Sequence, residues 1–330
     1  MYEWKVLNFT HITPLTSALG PGYLRFGGTH ADSTMFYENP STNTSFEGGK
    51  VVFSAKDLGQ LYDFVNYTGW RLIMDINQQI FNEGTHVWNS SNAKSFLDYA
   101  SSKQYSMDFE LGNEPDLYAS HGMGVLNGSE IAENYKLFKQ LLNGYDLYKG
   151  SIIMGPSTTA NGEKLNGTSL EILKDFIVSG GDQAVYAINI HHYYFRGQTA
   201  TWGDFIEPKR LNGYKDVIQI LQSINIHNKT LFNGESSSAY DGGAPNLSDT
   251  YLAGFIWLDK LGVGATFGMD AIMRQDMWGG NYGLLNGSQD PLPDYWLSLL
   301  YKKLVGETVY GVRIEGGDQY LRLYAASNRK

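Results

Sequence analysis

Residues 107–154 read MDFELGNEPDLYASHGMGVLNGSEIAENYKLFKQLLNGYDLYKGSIIM. The run Met107–Leu111 is short, apolar and β-forming, and it stops at Gly112 before a loop holding Asn113-Glu114-Pro115. A helical pattern follows over Ser129–Leu142, and a second short apolar run closes the stretch at Ser151–Met154. Strand, helix and strand of these lengths make a βαβ unit, which requires a parallel sheet. The same alternation extends both ways. Strands are expected at Tyr23–Phe26, Arg71–Ile76, Val185–His191, Thr230–Asn233 and Ala265–Arg274, with helices near Ala55–Tyr67, Asn92–Ser102, Ser169–Ser179, Leu211–Ile224 and Ser248–Leu261. Such a series, with no Gly-rich phosphate turn after its first strand, fits an α/β fold of the (β/α)8 TIM-barrel type better than a dinucleotide-binding sheet. After a helix at Asp294–Leu304 the pattern changes. Thr308–Ile314 and Tyr320–Ala325 read as strands around Gly316-Gly317-Asp318, the start of an all-β module. The expected organisation is a catalytic barrel over 1–306 and the first strands of a β-sandwich over 307–330.

Composition narrows the function. The 330 residues carry a net charge of −9, which argues against a general nucleic-acid binder. Aromatic residues at 14% suit a wet, concave surface such as a carbohydrate cleft. No apolar run reaches the roughly 18 residues of a membrane span. With no Cys there are no disulfides, thiolate metal sites or cysteine nucleophiles. Nine Asn-x-Ser/Thr sequons begin at Asn8, Asn43, Asn66, Asn89, Asn127, Asn166, Asn228, Asn246 and Asn286. Chance predicts about three, so the excess points to a secreted or lysosomal glycoprotein. The start MYEWKVLNFT shows no basic and apolar regions of a signal peptide.

Two carboxylates end expected strands inside loop-forming sequence: Glu114 in FELGNEPD and Glu235 in LFNGESSS. Barrel enzymes carry catalytic groups at the C-terminal ends of their strands. Two carboxyl groups there are the minimum equipment for glycoside hydrolysis, one protonated to deliver a proton and one ionised to attack or to activate water. Asn113 beside Glu114 can orient a sugar ring, which suits Glu114 to the acid role. Glu235 follows an apolar strand and precedes three hydroxyls, which suits a positioned nucleophile. Glu110, four residues before Glu114, is expected to lie deep and to be structural. A lone Glu at a strand end is more often a cap or a surface ion pair, so the argument rests on the pair.

GNEP at 112–115 and GESSSAY at 234–240 resemble the heparanase family of retaining endo-β-glucuronidases. So do YLRFGGT at 23–29, His191-His192-Tyr193-Tyr194, the stretch Gly242–Gly262 and DPLPDYWLSLLYKKLVG at 290–306. Invertebrate hyaluronan-cleaving endo-glucuronidases share these motifs. The resemblance implies Glu114 as acid/base, Glu235 as nucleophile, and a set of substrate contacts at Thr29, Asn113, His191, Tyr193, Tyr240, Gly242 and Tyr282. It also implies double displacement at a glycosaminoglycan without metal or organic cofactor. Like-charge repulsion and burial should raise the pKa of an acid Glu114, so an acidic optimum is expected, and association with membrane or matrix through proteoglycans is a further expectation. His192 is expected to be a packed, satisfied imidazole.

Two departures from the family pattern stand out. The family places its acid/base on the fourth strand and its nucleophile on the seventh, whereas here they follow the third and sixth. The expected barrel therefore lacks its first strand, its β-sandwich is cut to two, and an inactive fragment or a non-catalytic glycosaminoglycan-binding relative is the alternative reading. The second departure is electrostatic. Few cations flank the expected cleft: Lys164, Arg196, Lys209, Arg210 and Arg274 are the candidates to hold sulfate, and Asp241 stands where heparanase has Gly. Heparan sulfate ranks first as substrate on overall similarity, and hyaluronan, which has no sulfates, ranks close behind on charge.

Overall fold

The computed structural model describes residues 7–40, 46–47 and 50–329. Seven strands form one sheet in chain order: β1 (Tyr23–Phe26), β2 (Arg71–Ile76), β3 (Asp108–Leu111), β4 (Ile153–Asn161), β5 (Ala187–Tyr193), β6 (Thr230–Ser236) and β7 (Ala271–Arg274). The pairs β1–β2, β2–β3, β3–β4 and β6–β7 are parallel, with Tyr23 opposite Arg71, Ile73 opposite Asp108 and Phe109 opposite Ile153. Eight α-helices accompany them among the described residues: α1 (Phe9–Ala18), α2 (Ala55–Thr68), α3 (Ser91–Ser102), α4 (Gly128–Asn143), α5 (Gly167–Val178), α6 (Pro208–Ile224), α7 (Tyr251–Phe267) and α8 (Pro293–Leu304). A helix between each consecutive pair of parallel strands is the (β/α) barrel topology expected from the sequence.

Local chemistry sets the boundaries. Ser54 and Asp57 close a capping box at the start of α2, Asn127 and Glu130 do so at α4, and Gly69 ends α2 in the left-handed region at φ 72°. The chain divides into two compact units, Met1–Thr158 with Gly167–Asn189, and Thr159–Asn166 with Ile190–Lys330. In the first, α2, α3 and α4 bury their apolar faces, and every residue of β3 is buried. Phe109 there meets Phe138 and Tyr148 edge-on at 5.8 and 5.2 Å. The second holds α6, α7 and α8, with Tyr214, Val217, Ile218 and Leu221 of α6 fully buried.

Several boundaries differ from the expectation. Ala265–Phe267 belong to α7, not to a strand, because the helix runs on until Gly268 at φ 89° can cap it. The apolar sequence there has no polar face to mark it as helical. The fourth strand, expected to end at Met154, continues through Gly155-Pro156 to Asn161. Gly155 packs against the Tyr135 ring, leaving no room for a Cβ. The helix α1 was not anticipated, since Pro14 lies inside it, and Phe9 anchors it against Phe64 of α2 with ring centroids 4.9 Å apart. A small sheet of Thr34–Tyr37, Phe46–Glu47 and Lys50–Ser54 was also missed. The expected C-terminal strands are displaced: Val305–Tyr310 pairs antiparallel with Ala325–Asn328, Tyr310 opposite Ala325.

Candidate active site

In the first unit, the loop after β3 carries Asn113 and Glu114. Glu114 adopts a left-handed conformation, φ 51° and ψ 60°, and its N–H donates to the Ser157 carbonyl at 3.2 Å. Pro115 then opens a short 3-10 turn. The half-buried Glu114 side chain is thus presented by a turn fixed at both flanks. Asn113 is buried and held twice: its N–H donates to Asp32 Oδ2 at 2.8 Å, and its Oδ1 accepts from Arg25 Nη2 at 2.8 Å. Thr29 lies exposed at the start of the 3-10 turn Thr29–Ser33.

Beneath that loop lies a buried ionic cluster. Arg25 Nε donates to Glu110 Oε2 at 2.5 Å, and its Nη2 sits 3.5 Å from Asp75 Oδ2. Glu110 also accepts from Ser157 Oγ and, at 3.0 Å, from Asn189 Nδ2. The Glu110 side chain is fully buried, so it is the structural carboxylate the sequence suggested. Asp32 accepts further bonds from the Gln78 N–H at 2.9 Å and the Tyr118 hydroxyl at 3.0 Å. Burial nevertheless pushes the Asp32 carboxyl up to about 7, with the Glu110 charge adding to the rise against those three donors. Burial and the Glu110 charge likewise hold Asp75 well above the usual carboxylate range, against the pull of Arg25.

The second unit carries Glu235 and the other expected contacts, of which Tyr193 and His191 meet it. Glu235 lies on β6, one position before its end, with a side chain 12% exposed. Tyr193, at the end of β5, donates its hydroxyl to Glu235 Oε1 at 2.7 Å, and His191 Nδ1 lies 4.0 Å from Oε2. The Tyr282 ring sits 6.2 Å from that of Tyr193 at an interplanar angle of 30°. Short strands Phe195–Arg196 and Ala239–Tyr240 pair in parallel and carry Tyr240. Gly242 follows at φ 83°, and its carbonyl accepts from the Asn281 N–H at 2.6 Å, tying this loop to the one that bears Tyr282. Gly197 must be glycine here because a Cβ would collide with the Gly243 carbonyl.

Behind Glu235 the buried Lys260 of α7 binds His192 O at 2.9 Å, Ser237 O at 3.0 Å and Ser236 Oγ at 2.5 Å. Its Nζ also lies 3.0 Å from His192 Nδ1 and 4.5 Å from the centre of the Tyr194 ring. His192 Nε2 contacts the Gly162 carbonyl at 2.9 Å, which can only accept, so the ring proton is on Nε2 and Nδ1 accepts from Lys260. Burial, and then the Lys260 charge, holds His192 well below its ordinary range and therefore neutral. Burial and the nearby Arg274 charge lower Lys260 well below the usual ammonium range.

A half-buried carboxylate with a hydroxyl donor at the end of a parallel strand, and another on a fixed turn after a second such strand, are equipment for glycosidic-bond chemistry. The model of glycosyl hydrolase family 79, N-terminal domain, matches residues 16–262. The chain belongs to that family. It is similar to heparanase of Gallus gallus, 34% identical over 364 residues, which cover 95% of this chain and 68% of the relative. Similarity to hyaluronoglucuronidase of Hirudo nipponia is 29%, covering 98% of this chain and 71% of that one. The chain thus spans about two thirds of the length of these curated relatives. Among solved structures it is similar to a 4-O-alpha-L-rhamnosyl-beta-D-glucuronidase from Fusarium oxysporum 12S, with a TM-score of 0.60 at 16% identity over 92% of this chain and 66% of that one. That likeness concerns the fold.

The cations singled out in the sequence differ in what they meet. Arg274 is turned inward: its side chain is 6% exposed, and it binds Asp294 Oδ2 and the Tyr282 carbonyl, each at 2.7 Å. Arg196 pairs with Asp241 at 2.7 Å and Arg210 with Asp204 at 3.0 Å. Lys164 and Lys209 are exposed. Residues that sequence reasoning passed over are Arg25, Asp32, Ser157, Asn189, Lys260 and Asn281. The available signals were an Arg inside the short apolar strand YLRF and a Lys inside the apolar helix GFIWLDKLG. Of the sequon asparagines, Asn8, Asn66, Asn127, Asn166, Asn228 and Asn246 are exposed, Asn89 and Asn286 are half-buried, and Asn43 lies outside the described residues. No helix among the described residues is long and apolar enough to cross a membrane.

Proposed function

We propose that this chain is a retaining endo-β-glucuronidase that hydrolyses internal glucuronide linkages of a glycosaminoglycan, heparan sulfate first, with Glu114 as acid/base and Glu235 as nucleophile. The observation that carries this reading is the Tyr193 hydroxyl donating to Glu235 Oε1 at 2.7 Å on a strand-end carboxylate that keeps only 12% exposure. A donor of that kind favours the ionised form and orients the carboxylate for attack on an anomeric carbon. Glu114 protonates the leaving oxygen and then deprotonates the incoming water. Asn113, locked by Asp32 and Arg25, presents its side chain at a set angle to the sugar. Because Glu114 has to hold a proton while Glu235 is ionised, activity is expected to peak at acidic pH. Secretion or lysosomal delivery is proposed on the same grounds, supported by the exposure of six sequon asparagines.

Hyaluronan is the second reading, favoured by the pairing of Arg196 with Asp241 and of Arg210 with Asp204, which leaves little uncompensated positive charge for sulfates. The test is chain-length analysis of heparan sulfate and hyaluronan after incubation at pH 5, beside Glu114→Gln and Glu235→Gln. Shortening that both variants abolish, with native circular dichroism retained, is expected. Cleavage that survives Glu235→Gln refutes the assignment. Binding without cleavage by the unaltered chain indicates the non-catalytic relative or inactive fragment instead.

A further inference from the structure

Asp241 lies six residues beyond Glu235, directly after the short strand Ala239–Tyr240, in the left-handed region at φ 59°. Aspartate tolerates that conformation better than most residues. The strand's parallel partner, Phe195–Arg196, sets Tyr240 opposite Arg196. Arg196 Nε then donates to Asp241 Oδ2 at 2.7 Å, with side chains 55% and 42% exposed. No other charged partner of either side chain occurs among the described residues.

We propose that Asp241 is a specificity-determining residue which, by occupying Arg196, disfavours sulfated sugars at the loops that follow Glu235 and Tyr193. This rests on the glycosaminoglycan reading above. A guanidinium is the side chain best matched to a sulfate, through paired N–H donors in one plane. Here one N–H is committed to Asp241, and the pair is electrically neutral, so a sulfate gains no net attraction. It also meets a carboxylate at close range. An uncharged hydroxyl or N-acetyl group on the same backbone meets neither penalty. Both side chains are half-exposed, so the interaction is one of solvent-screened charges and is expected to fade with salt.

The test compares heparan sulfate with unsulfated N-acetylheparosan, which offers glucuronide linkages on the same backbone, for the unaltered chain, Asp241→Asn, Arg196→Gln and the double variant. Asp241→Asn keeps the shape of the turn and removes the negative charge that neutralises Arg196. It is expected to raise the kcat/KM ratio of sulfated over unsulfated polymer about fivefold, the scale of one unit-charge interaction across roughly 4 Å of water. The gain should vanish in the Arg196→Gln background and at 0.5 M NaCl. An unchanged ratio, or the same gain without Arg196, overturns the proposal. Affinities for the two polymers, measured in parallel in the Glu235→Gln background, separate the two ideas. If neither polymer is cleaved, the proposed activity fails, and the affinity ratio alone decides the role of Asp241.

Discussion

Replacing Arg25 with Met tests whether the ionic cluster under the Asn113–Glu114 loop supports both fold and site. The Arg25 side chain is 6% exposed, and those of Asp75 and Glu110 are fully buried. Removing the guanidinium deprives Glu110 of its 2.5 Å donor, Asp75 of its cation and Asn113 Oδ1 of its 2.8 Å donor. Glu110 keeps Ser157 and Asn189. Breaking a buried ion pair from one side costs about 3–5 kcal/mol. Against a typical total of about 5–15 kcal/mol this should lower Tm by roughly 10 °C. The sign with pH is the sharper part. Asp75 already sits well above its ordinary range through burial and the Glu110 charge, with Arg25 opposing the rise. Without Arg25 the carboxyl rises further, and an acid raised in the folded state contributes stability below its unfolded value that is lost as pH climbs through the folded one. The deficit should therefore be small near pH 4.5 and large at pH 8. Thermal unfolding followed by near-ultraviolet circular dichroism measures it at both. An equal deficit at the two pH values, or a larger one in acid, refutes the reasoning.

Asp32, raised to about 7 by burial, should make the unaltered chain more stable at pH 5 than at pH 8, since its contribution is full below about 4 and lost through 7; calorimetry that finds the reverse order contradicts this. Tyr193→Phe removes the 2.7 Å donor to Glu235, a hydrogen bond to a charged group worth about 1.5–3 kcal/mol. It should lower kcat roughly 10- to 100-fold with little change in KM, and a variant with unaltered kcat excludes Tyr193 from positioning the carboxylate. Lys260→Met removes the buried Lys260 bond to the Ser237 carbonyl and leaves the His192 carbonyl with the Ser236 hydroxyl, and should destabilise by about 2–4 kcal/mol; an unshifted urea midpoint argues that Lys260 carries no structural bond of consequence.

The strands were legible where apolar, β-forming runs stop at a glycine or a polar turn, as at Leu111-Gly112, and both candidate carboxylates were legible because they stand at such stops. Helix α7 blurred into the next strand because its last turns are apolar all round, and α1 was hidden by Pro14. The cluster at Arg25 was illegible for a different reason. A charged residue within a four-residue strand looks solvent-facing, and its partners at 75, 110 and 113 are brought to it only by pairing β1 with β2 and β2 with β3. Charge partners were illegible for the same reason, since Arg196, Arg210 and Arg274 look available in sequence and are answered by Asp241, Asp204 and Asp294 only on folding.

One physical consequence joins the scaffold to the chemistry. In the first unit the buried carboxyl groups of Asp75 and Glu110 share the guanidinium of Arg25, and a third buried carboxyl, Asp32, is linked to them through Asn113. Part of the cluster must hold protons, in line with the raised Asp32 and Asp75. Two of its members grip Asn113 directly, Asp32 at the N–H and Arg25 at the side-chain oxygen. Burial is the dominant cause and raises both acids, so it favours the folded first unit in acid, whereas the Asn113 N–H bond is itself strongest to an ionised Asp32. The acid preference of the supporting structure is therefore one of overall stability, and it has the same direction as the acidic optimum that the proposed chemistry requires of a protonated Glu114.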